Sequence, residues 1–219
     1  MRVYYLTSSQ FALSNIALRR LKVARFNDLN DPFELLAVDV VDFNLRVGIL
    51  AKKEQIHSKE GLLCFSTSWR STLLWSHYAD KHRGIALGFD VSDHLIHPVI
   101  YTKGLRKINV LAKQTAQSTI DKLFSRLRYT KSVDWVYEDE VRQFFELEGL
   151  AHQSGLHFVS FSENLVLREV ILGPRCDIPV EPVRTLVQAF QEAVHVIHAR
   201  IAYSKFGVIK DQRFRKSTA

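Results

Sequence analysis

Apolar and polar positions change rhythm several times along the chain, and each rhythm predicts an element. Residues 3–7, Val-Tyr-Tyr-Leu-Thr, gather β-branched and aromatic side chains and read as a strand, after which Ser8 or Ser9 caps a helix through Phe11, Asn15, Ile16 and Arg19. Residues 26–34 concentrate Asn, Asp and Pro, which bond or stiffen their own backbone, and so form an ordered loop. A helix over 45–56 ends at Gly61, and the short apolar run 62–66 is a buried strand. A brief helix over 73–79 leads into residues 84–89, where large side chains alternate with Gly or Ala, as in a strand closely approached on one face. Ile108, Leu111, Ala116, Ile120, Leu123, Phe124 and Leu127 recur at helical spacing, which predicts an amphipathic helix over about 108–128 with its basic residues outward. Strands follow at 143–146, 157–161, 169–172 and 194–203, with one helix starting near Pro182. The sum is an α+β fold with non-local strand pairing rather than regular βαβ alternation.

No repeat is visible, and five prolines and nine glycines are scattered, so 219 residues read as one domain, 1–219, with a basic tail over about 205–219. The formal charge of +7 is uneven: residues 103–131 hold eight basic side chains and one acid, and residues 205–216 hold five and one. Such a field favours anionic partners. Cys64 and Cys176 lie far apart without a C-x-x-C partner, and no apolar run has the length of a signal or a membrane span. The expectation is a cytoplasmic protein with no membrane partner.

Phosphate cradles of the G-x-x-x-x-G-K-[ST] and G-x-G-x-x-G kinds are missing, as is a G-x-S-x-G elbow. His77 and His82 fall about 140° apart on a helix, and His195 and His198 on opposite faces of a strand, so no metal site is expected from either pair. Three groupings carry candidate chemistry: the loop from Arg25 to Glu34, the run 75–84 of aromatics and donors, and two glutamates near strand starts, Glu140 and Glu169. Each glutamate has an arginine nearby, Arg142 or Arg168, as a purely structural partner.

These residues resemble an uncharacterised bacterial family, a domain of unknown function. Its members share a Y-Y-x-T opening, an F-N-D-P-F-E loop, an L-W-S-H-Y-A-D-x-H-R-G-I-x-L-G-F-D block, a W-x-Y-E-x-E-x-R segment and an E-V-I-L-G strand. Here they stand at residues 4–7, 26–34, 74–90, 135–142 and 169–173, the loop departing from the family form as Phe-Asn-Asp-Leu-Asn-Asp-Pro-Phe-Glu. In the order of its parts the family is distantly similar to the ADP-ribosyltransferase fold, especially DarT-like toxins. That likeness implies two small packed, mostly antiparallel sheets with flanking helices. It also implies a transferase using NAD as substrate, a toxin or phage-defence effector acting on nucleic acid or protein.

Breaking the nicotinamide–ribose bond passes through an oxocarbenium-like state, so one carboxylate must favour developing positive charge, with aromatic surface for the ring and donors for the pyrophosphate. On the resemblance, Glu169 or its rival Glu140 is that carboxylate. Tyr4, Tyr5 and Tyr78 supply rings, Arg25 and Asn27 donors, and Ser66 and His77 line the ring pocket. Lys113, Lys122, Arg126, Arg128 and the basic tail would attract nucleic acid, and an antitoxin or chaperone partner is a further expectation. Two other readings stay open: a nucleotide- or nucleic-acid-binding module of the same fold without turnover, and a metal-dependent nuclease using Asp31, Glu34, His77 and Asp80.

Overall fold

Alternate side chains of a strand point to opposite faces, and the parity of the strands sorts the interior of this protein onto two sides of a sheet. The structure is a computed structural model that describes residues 1–107, 117–191 and 193–215. The chain runs β1 (Arg2–Thr7), α1 (Ser9–Ala17), β2 (Arg20–Arg25), β3 (Val38–Asp39), α2 (Phe43–Lys59), β4 (Glu60–Ser66), α3 (Thr72–Tyr78) and β5 (Ile85–Val91). Short strands β6 (His97–Pro98), β7 (Ile100–Thr102) and β8 (Arg106–Lys107) precede α4 (Gln117–Leu127), β9 (Thr130–Ser132) and β10 (Glu140–Glu146). The hairpin β11 (Ala151–Gln153) and β12 (Leu156–Ser160) leads to β13 (Leu165–Leu172), α5 (Val180–Gln188), β14 (His195–Ile201) and β15 (Val208–Lys210).

The fold is mixed α+β and, among the described residues, has one eleven-stranded sheet and two small parallel pairs, β3–β8 and β7–β9. It is one connected sheet where two separate ones were expected, but its register shows two halves. β1 pairs β5 over six residues and β4 at the single pair Tyr4–Ser66. β4 gives its other end, Gly61 and Leu62, to β2, and pairs β10 along its whole length. One half is therefore β1-β5-β13-β14-β15 and the other β11-β12-β2-β4-β10-β6, hinged at Tyr4 and Ser66.

One face carries Val3, Leu63, Phe65, Leu87 and Val170 into a core closed by α1 and α5 through Ala12, Ile16, Val183 and Val187. The other face has two covers. Trp69, Trp75 and Ala79 pack on Ala86, Ile171 and Ala199, while Ile49 and Ile56 of α2 and Phe124 and Leu127 of α4 pack on Leu62. Between those covers, where β1 meets β4, a cavity remains.

The first helix stops earlier than its pattern implied. Leu18 caps it, Arg19 turns left-handed at φ 49°, and Arg20–Arg25 becomes β2. α2 ends at Lys59 with Glu60 as its extended cap, and Gly61 lies inside β4, where a Cβ would sit 2.5 Å from Val23 and 2.9 Å from the Ala24 carbonyl. Of the helix expected over 108–128, residues 117–127 are helical and 108–116 lie outside the described residues. Among the described residues no helix is long and apolar enough to cross a membrane.

Candidate functional site

Register places the candidate residues in one transverse row. Glu140 faces Ser66, Ser66 faces Tyr4, Tyr4 faces Gly88, Gly88 faces Glu169 and Glu169 faces His195. Residues paired directly across strands share a face, so Glu140 and Glu169 point the same way but lie four strand spacings apart, about 19 Å along the sheet. Gly88 is what lets the row close in its middle. A Cβ there would sit 2.9 Å from the Glu169 Cβ and 3.0 Å from Tyr4 Cε1, so only glycine leaves the tyrosine ring room to lie across the strand. The Tyr4 hydroxyl then donates to Glu169 Oε2 at 3.0 Å.

At the Glu140 end lies the cavity, with about 90 Å³ open to the centre of a water molecule, enough for a few waters or the head of a small ligand. Tyr4, Leu6, Cys64 and Ser66 form its floor, and Leu74 and Tyr78 of α3, Leu29 and Asn30 of the polar loop, and Glu138 close its sides. Arg142, with no exposed surface, holds Glu34 in a two-pronged pair (Nη2–Oε1 2.5 Å, Nη1–Oε2 2.9 Å) and Glu140 through Nε–Oε1 at 2.7 Å. Lys131 Nζ reaches Glu138 at 2.5 Å and Glu140 at 3.1 Å and lies over the Trp135 ring. Tyr78 donates its hydroxyl to Glu138 and accepts from Asn30 Nδ2 at 2.7 Å, joining α3, the polar loop and the turn before β10.

Three carboxylates thus share two cations. Burial opposes the charge of Glu140, but Arg142 and Lys131 more than offset it and hold its carboxyl at about 2. For Glu138 and Glu34 burial wins, and both are raised despite Lys131 and Arg142 respectively. Surroundings that differ in this way favour the ionised form of Glu140 over that of its two neighbours. Burial, then Glu138, pushes the Tyr78 phenol far up, and burial and Glu140 keep the Cys64 thiol protonated.

At the other end lies a half-exposed shelf. The register slips between Leu167 and Glu169; such a bulge adds one residue to a strand and re-aims its neighbours. Arg168 bonds Asp90 at 3.0 Å, and Arg2 bonds both Asp90 at 2.6 Å and Glu169 at 3.2 Å. Burial and Glu169 push the Tyr4 phenol up to about 12.

The structure therefore brings together Tyr4, Ser66, Tyr78 and Glu140 at the cavity and places Glu169 outside it. Tyr5 belongs to the opposite face, its ring edge-on to Phe65 at 6.2 Å, because neighbouring residues of a strand cannot share a face. Arg25 leans toward Asp28 at 3.6 Å, and Asn27 donates to Glu54 at 3.0 Å on an exposed surface, so neither reaches the cavity. His77 is exposed on α3 and bonded to the Tyr137 hydroxyl at 2.7 Å. Asp31, Glu34, His77 and Asp80 do not converge: Glu34 is locked to Arg142, and Asp80 sits on an exposed left-handed turn. Among the described residues no group of three or more His, Cys, Asp or Glu is placed to hold a metal ion.

The basic stretch is not uniformly a surface. Lys122 and Arg126 are exposed, but Arg128 is bound to Glu60 at 3.0 Å and Lys131 is interior. Lys113 and the last residues of the tail, 216–219, lie outside the described residues. Sequence reasoning missed Arg142, Lys131 and Glu138 as parts of the site. The available signal was the alternation Glu138, Glu140, Arg142 in one strand and its approach, which aims these charges to one side.

Residues 74–143 match the model of a family described as "Protein of unknown function (DUF2971)", so the resemblance to an uncharacterised family holds over that stretch. It spans Leu74, Tyr78, Lys131, Glu138, Glu140 and Arg142, and thus one side of the cavity and the charge cluster apart from Glu34. No curated protein and no solved structure matches the chain.

Proposed function

We propose that the chain is an ADP-ribosyltransferase that takes NAD as substrate, with the nicotinamide end bound in the cavity where the two half-sheets meet. The observation that carries this reading is the ionised Glu140 beside Tyr4, Ser66 and Tyr78 in one cavity. Oxidised nicotinamide is a cationic ring, and rings around a fixed anion are the surroundings that favour it. When the bond to ribose breaks, nicotinamide leaves with the bonding electron pair, and the positive charge passes to the ribose, where the same anion stabilises it.

Two of the three glutamates that line the cavity divide the work, Glu34 being held by Arg142. Glu140 already accepts from Arg142 twice and from Lys131, which takes three of the about four acceptor positions of a carboxylate. It supplies charge. Glu138 accepts only from Tyr78 and Lys131 among these groups, so it has room for a ribose hydroxyl or for the proton of the attacking nucleophile. The acceptor is nucleic acid or protein, and the exposed Lys122 and Arg126 suit the former.

The test is nicotinamide release from NAD by the wild type and by Glu138→Gln, Glu140→Gln and Glu169→Gln, with thermal unfolding of each to confirm the fold. Loss in the first two and retention in the third is expected. Loss in Glu169→Gln alone moves the chemistry to the shelf. The three bonds from Arg142 and Lys131 that occupy Glu140 favour a second reading, a nucleotide-binding module of the same architecture, which predicts NAD-dependent thermal stabilisation without release. Neither stabilisation nor release overturns both.

A further inference from the structure

We propose that His152 and His157 form a two-point chelate for a divalent transition-metal ion, independent of the cavity. The two residues face each other across the hairpin of β11 and β12, with ring centres 5.0 Å apart and ring planes at 55°.

The backbone prepares this arrangement. Ser154 and Gly155 both turn left-handed, at φ 51° and 79°, which makes the two-residue turn whose twist matches a hairpin. Such a turn closes on Gln153 and Leu156 as a hydrogen-bonded pair, so the next pair, His152 and His157, is the non-hydrogen-bonded kind with Cα atoms only about 4.5 Å apart. β12 is further pinned to β2 over four residues, His157 opposite Val23. The backbone positions that carry the two rings are therefore set before any ion arrives. Metal–nitrogen bonds of about 2.0–2.1 Å put each ring centre about 3 Å from the ion, and a tetrahedral angle then separates the centres by about 5 Å. His152 is exposed and β11 is the outermost strand of its half-sheet, so the remaining coordination positions belong to water.

Imidazole pairs suit borderline ions, in the order Cu²⁺ above Ni²⁺ and Zn²⁺. Titration of the full chain with each ion alone is expected to show one saturable site in that order. His152→Ala and His157→Ala should each weaken it about 100-fold, because the second imidazole acts at high effective concentration. His94→Ala, another exposed histidine, should leave it unchanged. Substoichiometric Cu²⁺ should broaden the amide resonances of residues 151–158 before others. Absence of saturable binding, or binding that survives both hairpin substitutions, overturns the proposal.

Discussion

The two ends of the transverse row have the same register and face and similar side chains, yet they form opposite kinds of electrostatic site. At the cavity end, Glu140 and Arg142 are covered by loop and helix, and the pair survives only because each charge has several partners. At the shelf end, Glu169, Arg2, Asp90 and Arg168 keep 26–41% of their side-chain surface in water. Pairing with arginine is common to both. What differs is the cover, and the cover decides whether an ion pair is obligatory or optional. It also decides which glutamate can feel a ligand strongly, since charge in a dry cavity acts through a lower effective dielectric than charge on a wet shelf.

The largest effect that separates the ends is expected from Arg142→Ala. Removing this guanidinium leaves Glu34 and Glu140 buried without their main partner, a situation that costs about 3–5 kcal/mol. Denaturant unfolding at neutral pH measures it. A loss below about 1 kcal/mol would mean that water reaches the cluster and that the distinction between the ends is false.

A graded effect follows from pH. The Glu140 carboxyl is lowered from 4.5 to about 2 by folding, so its stabilisation is present above about 4.5 and is lost as pH falls toward 2. Glu34 and Glu138 are raised, so their contribution has the opposite sign: present below the ordinary carboxylate range and lost as pH rises through their folded values. Unfolding followed from pH 5 downward should therefore fall less steeply in Glu140→Gln than in the wild type. Asp90 on the shelf is also lowered, by Arg2, but its exposure weakens the effect, and Asp90→Asn should change the slope less.

How much of this could be read from the chain alone depends on the range over which each feature is decided. The strand at Tyr4, the helix cap at Ser8, the apolar run at Leu63 and the short helix carrying Trp75 are local, and alternation or capping chemistry shows them. The cavity is not local. Tyr4, Ser66 and Glu140 meet through antiparallel pairs that join residues 62 and 74 positions apart, and no periodicity within a window reports such a pair. Parity does settle Tyr4 against Tyr5 once the faces are known, but the choice of face comes from what packs on the sheet. Arg25 and Asn27 show the converse: composition marks the polar loop, yet Arg25 pairs with Asp28, Asn27 bonds Glu54 of α2, and it is Leu29, Asn30 and Glu34 that reach the cavity. The facing histidines of the hairpin were hidden likewise, since their spacing of five gains meaning only from the two-residue turn between them.

The smallest effect sharpens the comparison from the shelf side. Arg168 is the extra residue where the register slips, and its guanidinium bonds only one carboxylate of a group that also holds Arg2. In Arg168→Ala, Asp90 keeps the bond from Arg2, and water solvates the freed oxygen, so no buried charge is stranded. Exposed pairs of this kind contribute about 0.2–1 kcal/mol and are screened by salt. The variant should therefore unfold within about 1 kcal/mol of the wild type at low salt, and the gap should shrink further in 1 M sodium chloride. The same salt should leave the loss in Arg142→Ala nearly unchanged, because its partners lie beyond the reach of the ions. A large, salt-insensitive loss in Arg168→Ala would show that the bulge itself, and with it the position of Glu169 beside Tyr4, depends on this one side chain.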